Sequence, residues 1–154
     1  MKILLLGSSG LLGKSIYKSL QFSKNISIFH NGLIKRKTDL LNSKLLREIL
    51  KKTKPDLIIN SAAATNIEYC EKNKKISEKI NVGVVREIFE IKKKLKLNFL
   101  FFQFSTDQLY DSLKIIKNKE LTKPKINNEY SKQKAKVEKI CIKNKALVLR
   151  VNFF

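Results

Sequence analysis

Short apolar segments alternate along this chain with segments whose apolar residues recur every three or four positions, and this alternation limits the possible folds most. The apolar segments predict strands over residues 2–6, 26–29, 56–60, 98–105 and 146–151. The periodic segments predict helices over 11–22, 42–52, 68–73, about 75–96 and about 128–144. Strands without polar alternation are typical of a parallel sheet that helices cover on both faces.

The alternating order of strands and helices indicates how the sheet is wound. Right-handed crossovers between parallel strands favour a doubly wound, Rossmann-like α/β sheet, for which we predict the strand order 3-2-1-4-5. In such sheets ligands bind beyond the carboxyl ends of the strands, where the order reverses. We therefore expect functional residues at the ends of the first and fourth strands, in the sequences GSSGLLG and STD.

Length and composition fit one globular domain, residues 1–154. Hydrophobic residues make up 43% of the chain, which is enough to form a core. No apolar run approaches the roughly 18 residues of a membrane span, and MKILLLGSSG lacks a signal-peptide cleavage pattern. Cys70 and Cys141 have no metal-ligand spacing, and His30 is the only histidine. These features favour a cytoplasmic protein with free thiols and no metal site.

The chain carries a formal net charge of +20, from 33 basic and 13 acidic residues. A field of this sign attracts polyanions, so DNA or RNA is a candidate partner whose binding would weaken with added salt. The basic residues are spread along the whole chain and nearly all are lysines, whereas specific reading of bases and phosphates usually recruits arginine. A solvated basic surface is therefore favoured over a nucleic-acid site.

The sequence GSSGLLG places Gly7, Gly10 and Gly13 between the first strand and the first helix. Glycines here permit a tight turn and a close approach of the backbone to a pyrophosphate, whose charge the N–H groups at the helix start stabilise. Three of the five glycines of the chain lie in this segment. The pattern therefore predicts a dinucleotide-binding turn.

The end of the second strand bears on the choice of cofactor. A carboxylate at this point would bind the ribose hydroxyls of NAD. The chain instead has His30 and Asn31, with Lys35 and Arg36 close behind, and these cations suit a 2′-phosphate. We therefore expect NADP or NAD as cofactor, with NADP favoured.

Tyr130 and Lys134 lie four residues apart in EYSKQKAKVEK and so share one helix face, which points inward. A lysine directed toward a core requires a reason, because burial of an unpaired charge is costly. A nearby ammonium lowers the pKa of a phenol and makes tyrosine a usable general acid at neutral pH. Ser105 and Thr106, at the end of the fourth strand, offer hydroxyl groups to a substrate carbonyl.

With these motifs the chain resembles the extended short-chain dehydrogenase/reductases, and among them the dTDP-4-dehydrorhamnose reductase family. The resemblance is carried by MKILLLGSSGLLG, TDLLNSKLLREILKKTKPDLIINSAAATNIEYCEKN, FSTDQLYD and NEYSKQKAKVEK. These segments follow the family order across essentially the whole chain, and PDLIINSAAATNIEYCE is the most specific. The resemblance implies NAD(P)H-dependent reduction of a nucleotide-linked 4-keto sugar, in the synthesis of dTDP-rhamnose and polysaccharides.

The resemblance also implies roles for individual residues. Thr106 would polarise the substrate carbonyl, Tyr130 would donate the proton, and Lys134 would hold the nicotinamide ribose and lower the Tyr130 pKa. Other residues would contact the cofactor: Gly7, Gly10, Leu11, Leu12 and Gly13 at the pyrophosphate, Asp39 and Leu40 at the adenine, and Ala62, Ala63, Ala64 and Thr65 along the ribose and phosphate. Asn81 and Glu138 match family positions that we interpret as structural.

The chain departs from the family pattern at its end. It stops at LRVNFF, after the fifth strand, whereas family members continue into further strands and a substrate-binding lobe. We therefore interpret it as the cofactor-binding and catalytic half of a reductase: an N-terminal fragment, a truncated reading frame or one part of a split protein. Its expected partners are a nucleotide-sugar substrate and either the missing C-terminal half or a second copy in a homodimer.

Two alternatives within the same superfamily stay open. Some relatives bind the nucleotide and act as regulatory subunits through a partner enzyme, although the presence of Thr106, Tyr130 and Lys134 argues against this role. Sugar-nucleotide epimerases and dehydratases belong to the same superfamily, and epimerases use the same tyrosine and lysine. Only the missing half would separate them from a reductase.

Overall fold

The computed structural model describes residues 1–30, 40–110 and 118–152. The strands are β1 Lys2–Leu6, β2 Ser27–His30, β3 Leu57–Asn60, β4 Leu100–Thr106 and β5 Leu147–Val151. The helices are α1 Leu11–Leu20, α2 Ser43–Thr53, α3 Ile67–Lys72, α4 Lys74–Glu78, α5 Val84–Lys94 and α6 Glu129–Lys143. A π-helical turn, Lys79–Gly83, joins α4 to α5, and a 3-10 turn, Asp107–Tyr110, follows β4. All predicted strands and helices are present, and the helix predicted at about 75–96 is divided by the π-helical turn.

All five strands are parallel and lie in the order β2-β1-β3-β4-β5. The prediction of a doubly wound, Rossmann-like α/β sheet is confirmed, but the predicted order 3-2-1-4-5 is wrong. β3 lies between β1 and β4, with Ile58 beside Leu4 on one side and Phe101 on the other. The order therefore reverses between β1 and β3, so that the end of β3 joins those of β1 and β4.

The burial of the strands explains why β3 lies inside the sheet and β2 at its edge. In β2, Ser27 is exposed and Phe29 is 37% exposed, whereas Ile58 of β3 is fully buried. Asp56 also fixes β3 beside β1. Its carboxylate accepts a hydrogen bond from the Lys2 N–H at 2.7 Å, and its own N–H donates to the Lys2 carbonyl at 2.8 Å. An apolar strand buries more surface between two neighbours than at an edge.

The main hydrophobic core lies between one face of the sheet and helices α2, α5 and α6. It contains Leu4, Leu6, Ile58 and Phe101 from the strands and Leu46, Leu50, Val85, Ile88, Phe89 and Val137 from the helices. The rings of Phe89 and Phe101 lie with their centroids 5.0 Å apart and join α5 to β4. This packing fixes α6, which carries Tyr130 and Lys134, against β4 and β5.

Asparagine side chains cap the N-termini of three helices. Asn42 caps α2, Asn66 caps α3, and Asn128 forms a capping box with Ser131 at the start of α6.

No helix within the described residues is long and apolar enough to cross a membrane. These residues also contain no group of three or more His, Cys, Asp or Glu side chains placed to hold a metal ion.

Candidate active site

A cavity of about 440 Å³ opens at the carboxyl ends of the strands. Most of the predicted site residues line it: Gly10, Leu11, Leu12, Gly13, Ala63, Thr65, Thr106, Tyr130 and Lys134. These residues come from four separate segments, which are the glycine-rich turn, the loop after β3, the end of β4 and the start of α6. The structure thus brings the glycine-rich sequence and the Thr–Tyr–Lys set into one cavity.

Four of the predicted site residues that the structure describes do not line this cavity. Gly7, Ala62 and Ala64 are not among the residues that line the cavity, although they adjoin ones that do. Leu40 lines a different depression, of about 430 Å³, together with residues of α4 and the π-helical turn. Asp39 lies outside the described residues, as do Asn31, Lys35 and Arg36, on which the preference for NADP was based.

The glycine-rich turn depends on a close approach between two backbones. Gly7 has a φ of +83°, and a Cβ placed on it would lie 2.5 Å from the Ala62 nitrogen. A Cβ on Gly13 would lie 2.1 Å from the Gly7 carbonyl oxygen. Both positions therefore require glycine, and they hold β1, α1 and the loop after β3 in contact. Gly10 is different, because a Cβ there would meet only the Gly7 oxygen, at 3.4 Å.

The start of α1 is suited to an anion. Its N-cap, Gly10, has no side chain to accept a hydrogen bond, and its first turn has no acidic residue. The first N–H groups of a helix have no partners within the helix, and the helix dipole places positive charge there. Since Gly10, Leu11, Leu12 and Gly13 all line the cavity, this end of the site fits the pyrophosphate of a dinucleotide.

The Thr106, Tyr130 and Lys134 side chains lie together at the other end of the cavity. All three residues are buried, and the Thr106 hydroxyl lies near enough to the Tyr130 phenol to lower its pKa. Nζ of Lys134 lies 5.9 Å from the centroid of the Tyr130 ring and donates to the Phe104 carbonyl oxygen at 2.7 Å. This arrangement places two hydroxyl groups and one cation at one end of the cavity, a set of groups that can bind and protonate a carbonyl oxygen.

The pKa of Tyr130 differs from the expectation. Burial raises it above 10.0, and the neighbouring Thr106 hydroxyl only partly offsets this effect. The net direction is therefore opposite to the lowering expected from Lys134, because burial is the largest effect and the ammonium donates to the Phe104 carbonyl in this arrangement. The pKa of Lys134 itself falls to about 8, chiefly through burial, and the charge of Glu138 opposes that fall.

Sequence reasoning missed several polar side chains around the site. Asn60, Gln103 and Gln133 are almost fully buried. Asn60 donates a hydrogen bond to Gln103, and Gln133 accepts one from Asn81. Gln108 also lines the cavity, and its Oε1 is buried without a hydrogen-bond partner. The same is true of the Oγ of Ser105, a hydroxyl that the sequence did indicate. One signal was present in the sequence, since Gln103 interrupts the otherwise apolar segment FLFFQF, residues 99–104.

The two residues that we interpreted as structural have many contacts. Asn81 projects from the π-helical turn, accepts a hydrogen bond from the Ala64 N–H at 2.7 Å and donates to the Ala64 carbonyl at 3.0 Å. Glu138 forms a two-pronged ion pair with Arg150, with N–O distances of 2.8 and 2.6 Å. The Arg150 guanidinium also lies 4.6 Å from the centroid of the Tyr110 ring.

A Rossmann-like sheet with a glycine-rich turn after β1 and a Thr–Tyr–Lys set on β4 and α6 places this chain in the Rossmann-like class of α/β proteins. Comparison with known families identifies it further. The chain belongs to the RmlD substrate binding domain family, whose model matches residues 1–154.

Individual relatives agree with this assignment. The chain is 27% identical over 154 residues to dTDP-4-dehydrorhamnose reductase of Aggregatibacter actinomycetemcomitans. This match covers 99% of the chain and 51% of the relative. It matches the crystal structure of a dTDP-4-dehydrorhamnose reductase from Clostridium acetobutylicum with a TM-score of 0.84 and 25% identity, over 97% of this chain and 52% of that one. The chain thus spans about half the length of the curated relatives it matches.

A third match concerns the fold alone. The dTDP-4-dehydrorhamnose reductase of Bacillus anthracis, solved in complex with NADP, has a TM-score of 0.81 and 22% identity to this chain. The match covers 97% of this chain and 52% of that structure.

Proposed function

We propose that this chain is the cofactor-binding and catalytic part of an NAD(P)H-dependent reductase that acts on a nucleotide-linked 4-keto sugar, as dTDP-4-dehydrorhamnose reductases do. One observation carries the proposal. The buried side chains of Thr106, Tyr130 and Lys134 share one cavity with the glycine-rich turn at the uncapped start of α1. A site for a dinucleotide and a site for carbonyl reduction would therefore be adjacent.

The cofactor would extend along the cavity from α1 to α6. The backbone of Gly10–Gly13 would hold the pyrophosphate, Ala63 and Thr65 would lie along it, and Lys134 would hold the nicotinamide ribose. The reduced nicotinamide supplies the hydride. NADP is favoured over NAD by the bases Lys35 and Arg36 and by the lack of a carboxylate at the end of β2. The NADP complex of the Bacillus anthracis enzyme is in keeping with that choice.

The side chains would supply the proton and orient the carbonyl. The hydroxyl groups of Thr106 and Tyr130 donate hydrogen bonds to the carbonyl oxygen, which develops negative charge as its carbon is reduced. Tyr130 then transfers its proton to that oxygen, which leaves a phenolate and a sugar hydroxyl. A cationic Lys134 would stabilise this phenolate. Since its pKa is about 8, Lys134 keeps its charge at neutral pH.

Recognition of the sugar nucleotide would require more than these residues. Because the chain spans about half the length of its curated relatives, we propose that the substrate-binding part belongs to a C-terminal half, fused to the chain or separate from it. We propose a cytoplasmic site of action, where nucleotide sugars and NADPH are available.

The test is a pair of measurements on the 154-residue chain. NADPH fluorescence titration measures binding, and loss of NADPH absorbance with dTDP-4-dehydrorhamnose measures turnover. We expect Tyr130→Phe to abolish turnover and to retain NADPH binding. Binding without turnover in the wild-type chain would instead indicate a nucleotide-binding subunit, or a catalytic half that is inactive alone. Absence of NADPH and NADH binding would refute the proposed function.

A further inference from the structure

Two chains of buried hydrogen bonds join α6 to the loop that follows β3, residues 61–65, which we call the β3 loop. The first chain reaches the β3 loop at Ala64, and the second reaches it at Ala62. Each chain passes through one asparagine and one glutamine side chain, all four of which are at most 4% exposed. The β3 loop is therefore connected near both ends to the helix that carries Tyr130 and Lys134.

The first chain runs through the π-helical turn. The Asn81 amide makes two hydrogen bonds with the Ala64 backbone, and its Nδ2 also donates to Oε1 of Gln133 at 2.7 Å. Nε2 of Gln133 then donates to Oγ of Ser77 at 2.9 Å. Gln133 lies between Tyr130 and Lys134 in the sequence of α6, so its position is tied to theirs. Both ends of its amide are satisfied.

The second chain runs through the sheet. The Ala62 N–H donates to Oδ1 of Asn60 at 3.2 Å, and Nδ2 of Asn60 donates to Oε1 of Gln103 at 2.8 Å. Nε2 of Gln103 donates to the Phe104 carbonyl oxygen at 2.7 Å. The same oxygen accepts the hydrogen bond from Lys134 at 2.7 Å. Gln103 thus connects the lysine ammonium to the backbone of the β3 loop.

These amides do not serve hydrophobic packing. A methionine or leucine at the position of Gln103 or Gln133 would fill a similar volume without the desolvation of polar groups. Buried polar chains of this kind fix the relative position of the segments that they join, because each hydrogen bond has strict geometry. The π-helical turn has the same effect, since it aims Asn81 at the Ala64 backbone.

We propose that Gln103 and Gln133 are positioning residues that fix the β3 loop relative to Tyr130 and Lys134. The positioning itself follows from the two chains. A consequence rests on the proposed function: a cofactor bound along Ala63 and Thr65 keeps a fixed position relative to Tyr130 and Lys134. Gln103 acts on the Ala62 end of the loop, and Gln133 acts on the Ala64 end.

Amide hydrogen exchange measured by NMR tests the positioning without any ligand. Gln133→Met should speed exchange of the Ala64 N–H about tenfold, because Asn81 loses the group that orients it. Gln103→Met should do the same at the Ala62 N–H. In each variant, the exchange rate of the N–H at the other end of the β3 loop should stay within about twofold of the wild-type rate. The matched control is Val137→Ala, a buried core substitution on α6 outside both chains.

The outcomes separate a positioning role from a general loss of stability. If Ala62 and Ala64 exchange no faster in the glutamine variants than in Val137→Ala, the proposal is wrong. If a methionine variant does not fold, Ser77→Ala releases only the outer end of the first chain. Faster exchange at Ala64 in that variant than in Val137→Ala supports the proposal, and equal exchange contradicts it.

NADPH titration of the same proteins tests the consequence for the cofactor. We expect both glutamine variants to bind NADPH about tenfold more weakly than Val137→Ala does, because the loop along its path is no longer fixed. If the wild-type chain binds no NADPH, the proposed function fails while the exchange result still decides the positioning. If the exchange rates change and NADPH affinity does not, the two glutamines position the loop without any role in binding.

Discussion

The Lys134 ammonium, almost fully buried, donates a hydrogen bond to the Phe104 carbonyl oxygen 2.7 Å away, and no carboxylate in the described part of the chain forms an ion pair with it. A carbonyl dipole compensates only part of the desolvation of a charge. Burial accordingly lowers the Lys134 pKa from 10.5 to about 8. The fold thus maintains a costly cation beside Tyr130, which agrees with a functional role for Lys134.

The free energy of unfolding should depend on pH because of the buried Lys134 ammonium. Between pH 8 and 10.5 the unfolded state holds a proton on Lys134 that the folded state has released, so its penalty on folding fades as the pH rises. The full penalty is up to about 3 kcal/mol. We therefore expect Lys134→Met to be most stabilised relative to the wild type at pH 7 and less so at pH 10. Urea unfolding at both pH values measures this difference.

The control for this experiment is another lysine of α6. Lys132 is half exposed and pairs with Glu129, so Lys132→Met should not be stabilised at pH 7 as Lys134→Met is. If both variants behave alike, Lys134 does not carry a charge in the buried position that the structure gives it.

Tyr130 should ionise at higher pH than an ordinary tyrosine, because burial raises its pKa above 10.0. In a spectrophotometric titration, Tyr130→Phe should remove a component that ionises above pH 10. The Thr106 hydroxyl lowers this pKa, so Thr106→Val should shift the same component to still higher pH. An unchanged titration in Thr106→Val would show that the two side chains are not coupled.

The sequence permitted good predictions wherever a feature depends on neighbouring residues. Apolar periodicity located all five strands, and the glycine spacing located the turn whose backbone approaches Ala62. The i, i+4 spacing correctly placed Tyr130 and Lys134 on one face of α6, and both line the same cavity. Each of these inferences uses only local geometry, which a single sequence contains.

Features that depend on distant contacts were not predictable in the same way. The strand order was wrong because it is fixed by pairings such as that of Asp56 with Lys2, which periodicity does not reveal. The roles of Gln103 and Gln133 were missed because a polar residue in a strand or helix normally indicates an exposed position. The raised pKa of Tyr130 depends on its depth of burial, which only the packed structure gives.

Two glycines of the turn should respond differently to alanine. Gly7→Ala places a Cβ 2.5 Å from the Ala62 nitrogen at a φ of +83°, so the free energy of unfolding should fall by more than about 2 kcal/mol. Gly10→Ala meets only the Gly7 oxygen at 3.4 Å, and the change should stay below about 1 kcal/mol. Since Gly10 lines the cavity, Gly10→Ala should instead weaken NADPH binding.

Chemical denaturation and NADPH titration of both variants test this separation. Equal losses of stability in Gly7→Ala and Gly10→Ala would contradict the close approach of the two backbones. Unchanged NADPH affinity in Gly10→Ala would contradict a pyrophosphate at the start of α1.

Removing one partner of the Glu138–Arg150 ion pair should destabilise the chain more than removing both. Both side chains are largely buried, at 7% and 15% exposure, and their two hydrogen bonds join α6 to β5. Arg150→Met leaves the Glu138 carboxylate buried without its partner, and the expected loss of stability is about 3 kcal/mol. The double variant Glu138→Met with Arg150→Met removes both charges and should recover most of that loss. A double-mutant cycle by urea unfolding measures the coupling, and additive losses would mean that the two residues do not interact.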